Sequence, residues 1–248
     1  MAGHAQVSVQ SGQSVMPEDY PEKILFVGNS FTYYNDGLHK HYGNLLRAAN
    51  LHQPNRNKLR MMTYSGSGLW EHGAALRSAL TNDRWDAVVM HDYSNGPITQ
   101  WNRFVAASDT LGSIARAQGA VPLLLMTWAY AGQPEMTAQL AEAYTQRGKE
   151  LGARVIPVGL AFAAASEILD ADLYSPDLSR FENGAPVYEK IVKHPSMAGT
   201  YLAACTVFAT LTGRNPEGLV YDGGLDPEVA LALQGVAFRT VQSYLAKQ

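Results

Sequence analysis

Short apolar runs alternate with longer amphipathic segments along most of the chain. The apolar runs predict strands at residues 23–28, 58–64, 85–91, 121–128 and 154–158. The segments with helical spacing predict helices at residues 37–50, 70–80, 104–118, 136–151, 160–170, 197–212 and 227–246. Strands that alternate with helices are typical of a parallel sheet covered on both faces, so the pattern predicts an α/β fold.

The pattern contains no linker and no internal repeat, so residues 21–248 are predicted to form a single domain. Residues 1–20 are polar, rich in Ser, Gln and Gly, and are predicted to form a flexible tail. The tail lacks the apolar core of a secretory signal. It fits either a native tail or the start of an exported chain, periplasmic or secreted, whose signal has been removed, so the compartment stays open. Residues 171–193 form the longest unpatterned segment, and long loops of this kind are often lids or insertions.

Composition narrows the classes of function. Hydrophobic residues make up 46% and charged residues 17% of the 248 residues, which favours a substantial core and argues against global disorder. The formal net charge is −3 and there is no basic stripe, so no nucleic-acid partner is predicted. No apolar run reaches the ~18 residues of a membrane-spanning helix. The single cysteine, Cys205, excludes an internal disulfide and a cysteine-based zinc site, and its small apolar neighbours predict a core position.

Candidate chemistry starts at the end of the first predicted strand, where residues 28–30 read Gly-Asn-Ser. Ligands of open α/β sheets bind at the carboxyl ends of the strands, so Ser30 is a candidate nucleophile. A serine needs a neighbouring base, and His194, in a late His-Pro-Ser sequence, is the candidate. The N–H groups of Ser30 and Gly66 and the amide of Asn95 are candidate oxyanion donors, with Gly68 of the same Ser-Gly-Ser-Gly turn as the alternative to Gly66. Each candidate also has a purely structural interpretation. Ser30 could cap a helix in a turn, His194 could start a helix, Gly66 could be a turn glycine, and Asn95 could belong to an Asn-Gly turn.

Four sequence features resemble, in their order, the four blocks of the SGNH (GDSL-type) hydrolase superfamily. They are Gly-Asn-Ser, which is a variant of the first block, a glycine after the second strand, an asparagine after the third strand and a late His-Pro-Ser. The Thr-Trp-Ala sequence at 127–129 and the stretch that follows His194 look like a bacterial branch of this superfamily, and the likeness covers about residues 23–212. The resemblance implies a flavodoxin-like three-layer sandwich. It also implies ester hydrolysis by a Ser-His pair with an Asp, and an oxyanion hole from Ser30, Gly66 and Asn95. On this basis we predict a five-stranded parallel sheet in the order 2-1-3-4-5.

The sequence departs from the family pattern in its third block, which usually reads Gly-x-Asn-Asp. Here residues 91–95 read His-Asp-Tyr-Ser-Asn. Asn95 is the preferred amide donor, and Ser94 and Tyr93 are the alternatives.

The second departure concerns the partner of His194. The family's aspartate lies three residues before the histidine, where this chain has Ile191. An apolar side chain cannot orient an imidazole, so a carboxylate from elsewhere, a backbone carbonyl or a Ser-His dyad must take this role. The candidate carboxylates lie upstream, at Asp172, Asp177, Glu182 and Glu189.

The sequence therefore predicts a serine esterase that hydrolyses a carboxylic ester without a cofactor, for example an O-acetyl group on a carbohydrate or a small molecule. A lipase or thioesterase acting at the same site is one alternative. A non-catalytic carbohydrate-binding or structural protein with a degenerate triad is the other. His72 and His91, with Glu71 and Asp92, match no zinc pattern, so no metal site is predicted. The aromatic residues near strand ends either form a wall for a sugar or aryl substrate or belong to the core: Tyr33, Tyr34, Trp70, Trp101, Trp128 and Tyr130. The sequence does not determine the oligomeric state.

Overall fold

The central sheet consists of five short parallel strands. The structure is a computed structural model that describes residues 20–248, so the tail predicted for residues 1–20 lies, except for Tyr20, outside the described residues. The strands are β1 (Lys23–Gly28), β2 (Lys58–Thr63), β3 (Ala87–Met90), β4 (Val121–Leu125) and β5 (Arg154–Ile156). Their order is β2-β1-β3-β4-β5, and every neighbouring pair is parallel. The predicted α/β fold, its five-stranded parallel sheet and its strand order are confirmed.

Helices cover both faces of this sheet. They are α1 (Ser30–Tyr33), α2 (Leu38–Ala48), α3 (Gly73–Asn82), α4 (Gly96–Thr99), α5 (Trp101–Ala117), α6 (Met136–Leu151), α7 (Val158–Ile168), α8 (Met197–Thr212) and α9 (Pro227–Leu245). A 3₁₀ turn precedes α3 at Leu69–Glu71. None of the helices in residues 20–248 is long and apolar enough to cross a membrane.

The sheet separates two apolar cores, because successive side chains of a strand point to opposite faces. Ile24 and Phe26 of β1 pack with residues of α2, α7, α8 and α9. Leu25 and Val27 pack with residues of α3, α5 and α6. Cys205 of α8 is fully buried in the first of these cores, as predicted, and burial raises the pKa of its thiol.

The segment predicted to be irregular, residues 171–193, contains an antiparallel hairpin of β6 (Leu178–Glu182) and β7 (Ala185–Tyr188). The prediction was wrong here because nearly all of the hairpin residues are exposed, so no alternation of apolar and polar positions marks the strands. Its turn did carry a signal. Asn183 and Gly184 both have positive φ, 51° and 80°, and Asn-Gly is the preferred sequence of such two-residue turns.

Candidate active site

Asn29 joins the loops that follow three neighbouring strands. Its Oδ1 accepts a hydrogen bond from the Phe31 N–H at 3.1 Å, which caps α1. Its Nδ2 donates to the carbonyl oxygens of Ser67, at 2.8 Å, and Asp92, at 3.3 Å. Ser67 follows β2 and Asp92 follows β3, so one amide fixes three loops around Ser30. An aspartate could not donate to these carbonyls, which explains the Gly-Asn-Ser variant of the first block.

Ser30 is the first residue of α1, at the carboxyl edge of the sheet, and its side chain faces His194. The distance from Ser30 Oγ to His194 Nε2 is 2.7 Å. The imidazole stacks on the ring of Tyr34, with centroids 4.2 Å apart and planes at 15°. The edge of Phe31 contacts it at a centroid distance of 5.9 Å. Packing on two aromatic rings therefore holds the imidazole in place opposite the hydroxyl.

The other imidazole nitrogen, Nδ1 of His194, is hydrogen-bonded to Oδ2 of Asp177. The second carboxylate oxygen, Oδ1, accepts a hydrogen bond from the Tyr34 hydroxyl at 2.8 Å. Burial raises the pKa of Tyr34, and its hydrogen bond to Asp177 raises this pKa further, so the phenol keeps its proton and acts as the donor. An ionised carboxylate only accepts hydrogen bonds, so Nδ1 carries the ring proton and Nε2 is free to accept one from Ser30.

A short antiparallel contact brings Asp177 to His194 across 17 residues of sequence. Tyr174 pairs with Pro195 in an isolated bridge, and the Ser175 N–H donates to the His194 carbonyl at 2.9 Å. The chain then leaves through the β6–β7 hairpin and returns. The Glu189 N–H donates to the Asp177 carbonyl at 2.8 Å, which closes the base of the hairpin.

None of the other candidate carboxylates contacts His194. Glu182 forms an exposed ion pair with Arg180 on the hairpin. Asp172 Oδ1 accepts a hydrogen bond from the Tyr174 N–H at 3.0 Å. Glu189 contributes its backbone N–H at the base of the hairpin, and Ile191 is half exposed. The structure thus brings one of the four candidate carboxylates, Asp177, to the imidazole.

A cavity of about 110 Å³ opens beside the Ser30 hydroxyl. Its lining residues are Asn29, Ser30, Phe31, Ser65, Gly66, Tyr93, Ser94, Lys193 and His194. Gly66 lies in the turn after β2 with φ +66°, a conformation that favours glycine. Within residues 20–248, the backbone N–H groups of Ser30 and Gly66 donate to no other group, so both remain available to a ligand in the cavity.

The third block differs from the expected arrangement. Asn95, the preferred donor, is not among the described residues that line the cavity, whereas Tyr93 and Ser94 are. Asn95 precedes α4, and its carbonyl oxygen accepts hydrogen bonds from that helix. The Ser94 hydroxyl shares a 2.8 Å hydrogen bond with the Tyr130 hydroxyl. The alternative donors, Tyr93 and Ser94, therefore lie at the cavity, and the role of Asn95 as an oxyanion donor stays a prediction.

His91, buried beneath the turn that carries Ser30, supports this turn in a way that sequence analysis missed. Its Nδ1–H donates to the Asp92 carbonyl at 2.9 Å, and its Nε2 accepts from the Thr32 hydroxyl at 2.7 Å. Burial lowers the pKa of His91 to about 4, so the ring is neutral. Gly28 leaves the space for it, since a Cβ there would lie 2.1 Å from His91 Nε2. No group of three or more possible ligands within residues 20–248 could hold a metal ion.

Trp128 belongs to the core and does not form a substrate wall. It is 1% exposed and stacks between Phe31 and Phe162, at centroid distances of 4.1 and 4.4 Å. Its indole N–H donates to the Lys193 carbonyl at 2.9 Å. Trp128 therefore fixes the backbone immediately before His194.

The comparisons with known proteins found only structural matches. No family model and no curated protein matches the chain. It is similar to a DUF4886 family protein from Bacteroides uniformis, with 21% identity and a TM-score of 0.69 over 89% of this chain and 94% of that one. A candidate SGNH hydrolase from Slackia heliotrinireducens is 28% identical, with a TM-score of 0.58 over 75% of this chain and 97% of that one. A catalytic mutant of an acetylxylan esterase from Geobacillus stearothermophilus is 17% identical, with a TM-score of 0.56 over 79% of this chain and 95% of that one.

The sheet order and the helices on both faces define a three-layer α/β protein with the fold of SGNH hydrolases. The fold is that of SGNH hydrolases, and the match to the candidate SGNH hydrolase from Slackia heliotrinireducens supports a relationship to this superfamily.

Proposed function

We propose that the protein is a serine ester hydrolase in which Ser30 is the nucleophile, His194 the general base and Asp177 the residue that orients the base. One observation carries the proposal: the continuous hydrogen-bonded path from the Ser30 hydroxyl through both imidazole nitrogens to a carboxylate. This arrangement is the one that activates a serine for acyl transfer. It supplies the carboxylate whose usual sequence position holds Ile191, so it removes the main reason for the non-catalytic alternative.

The proposed reaction has two steps. Ser30 Oγ attacks the ester carbonyl while His194 Nε2 takes the hydroxyl proton, and the N–H groups of Ser30 and Gly66 stabilise the oxyanion. His194 then returns the proton to the leaving alcohol, which departs and leaves an acyl-serine. Water, deprotonated by His194, attacks the acyl-serine, and His194 returns that proton to Ser30 Oγ as the acid leaves. No cofactor takes part in these steps.

The size of the cavity supports a short acyl group. A cavity of about 110 Å³ beside the Ser30 hydroxyl accommodates an acetyl or a similarly short acyl group. This favours an acetyl esterase over the lipase or thioesterase alternative. The similarity to an acetylxylan esterase adds weight to an O-acetyl carbohydrate as substrate.

The test combines covalent labelling with hydrolysis. We expect a fluorophosphonate probe to label the wild-type protein at Ser30, with mass spectrometry of the labelled peptide identifying the position. We expect Ser30→Ala to abolish both labelling and the hydrolysis of p-nitrophenyl acetate. Turnover of p-nitrophenyl octanoate should be far slower than that of the acetate.

Ser65→Ala serves as a matched control, because Ser65 lies in the turn after β2 and also lines the cavity. A label on Ser65, or hydrolysis that survives Ser30→Ala, would place the nucleophile elsewhere. A wild-type protein that is neither labelled nor able to hydrolyse the acetate would favour the binding-protein alternative.

A further inference from the structure

Lys193, immediately before His194, is one of the residues that line the cavity beside Ser30. The nine described lining residues include no aspartate and no glutamate. Lys193 forms no ion pair and no side-chain hydrogen bond to another group within residues 20–248. Its ammonium group has three donors, all of them available to a ligand.

The position of this charge is set by the surrounding structure. The Lys193 carbonyl accepts the Trp128 indole N–H at 2.9 Å, and the Val192 carbonyl accepts the Ala131 N–H at 2.9 Å. Lys193 Nζ lies 5.5 Å from the centroid of the Tyr93 ring and 5.9 Å from that of Tyr130. Both distances are within the range of cation–π attraction, so the two rings hold the ammonium group beside the cavity.

The two carboxylates near this site do not neutralise Lys193. Asp177 already accepts hydrogen bonds from His194 and Tyr34. Asp92 is fully buried, Oδ1 accepts from the Leu69 N–H, and burial raises the pKa of its carboxyl group. A substrate in the cavity therefore meets a cation without a bound anion, partly shielded from water.

We propose that Lys193 determines specificity by binding a carboxylate of the ester substrate that lies close to the scissile carbonyl. This inference rests on the proposed esterase function and adds the substrate class: esters that carry a negative charge. The carboxylate belongs either to the acyl group, as in a dicarboxylic half-ester, or to the alcohol, as in an O-acetylated uronic acid. In both cases a carboxylate binds the ammonium group of Lys193.

The experiment measures kcat/KM of the full chain for two matched pairs of substrates. The acyl pair is ethyl hydrogen succinate and its neutral amide, ethyl succinamate. The alcohol pair is an O-acetyl glucuronic acid and the corresponding glucuronamide. Acid release in a pH-stat follows all four compounds, and the pair that shows the preference identifies the position of the carboxylate.

We expect the wild-type protein to favour the charged member of one pair by about tenfold or more, because hydrogen bonds to charged groups are the strong ones. Lys193→Met, which keeps the length of the side chain, should bring that ratio close to one, and Lys193→Glu should reverse it. Added salt should reduce the wild-type preference. Lys190→Met removes a nearby exposed lysine that does not line the cavity, and should retain the preference.

Equal rates for both members of both pairs would overturn the proposal, as would a Lys193→Met variant that slows the charged and neutral members equally. Calorimetry of succinate and glucuronate binding to Ser30→Ala, with and without Lys193→Met, tests recognition without hydrolysis. If the fluorophosphonate probe does not label Ser30 in the wild-type protein, the result counts against the esterase function alone. If Ser30 is labelled but the protein neither prefers the charged esters nor binds the carboxylates, the result counts against the proposed role of Lys193 alone.

Discussion

Replacing Asp177 with asparagine tests how His194 is oriented. In the structure the two carboxylate oxygens of Asp177 accept one proton each, from the Tyr34 hydroxyl and from His194 Nδ1. Asparagine has one acceptor and one donor group at these positions. If its oxygen accepts from Tyr34, its NH₂ group faces Nδ1. The ring proton then moves to Nε2, which can no longer accept the proton of Ser30.

The expected loss is large because the wrong tautomer removes the base. The corresponding change in a serine-protease triad lowers kcat by about 10⁴-fold, equivalent to about 5 kcal/mol of transition-state stabilisation. We expect Asp177→Asn to lose activity on p-nitrophenyl acetate to about this extent with little change in KM. Glu182→Gln and Glu189→Gln should stay within about twofold of wild type, since neither carboxylate contacts the imidazole.

The tautomer argument also predicts a partial rescue. Tyr34→Phe removes the competing donor, so the oxygen of an asparagine at 177 can turn towards Nδ1. We expect the double variant Asp177→Asn with Tyr34→Phe to recover at least tenfold in kcat over Asp177→Asn. If Asp177→Asn retains more than a tenth of wild-type activity, or Glu189→Gln loses as much as Asp177→Asn, the reasoning is refuted.

Three further predictions concern stability, each measured by urea denaturation. Asn29→Asp should lower the free energy of unfolding by about 2–4 kcal/mol, because the carbonyls of Ser67 and Asp92 lose their donor; Asn95→Asp is the matched control. The unfolded chain protonates His91 near pH 6.5, but the folded protein does so only near 4. Stability from this group is therefore complete above pH 6.5 and is lost as the pH falls towards 4. The loss is about 2–3 kcal/mol at pH 4.5, and His91→Gln should show a flatter pH profile. Gly28→Ala should lower the free energy of unfolding by about 1–3 kcal/mol, because the added Cβ would collide with the His91 ring. A variant as stable as wild type would contradict that close contact.

Sequence patterns predicted the parts of the fold that depend on local periodicity. Apolar runs such as residues 23–28 are buried on both faces, and the helices at 136–151 and 197–212 match the structure to the residue. The hairpin at 178–188 was missed because both faces of its strands are exposed. Its sequence therefore lacks the alternation of apolar and polar residues that marks a half-buried strand. Asn183-Gly184 was the local signal that could have revealed it.

The sequence by itself determined the α/β fold, because its strands alternate with helices, and it made Ser30 a candidate, because strand ends in a parallel sheet converge on one edge. The strand order and the pairing of Ser30 with His194 came from the resemblance to the SGNH family. Only the tertiary structure decided which carboxylate faces His194. Asp177 reaches Nδ1 through the pairing of Tyr174 with Pro195, a contact between distant segments that no local pattern encodes. The same holds for the charge of Lys193, which becomes a feature of the cavity only when the chain folds around it.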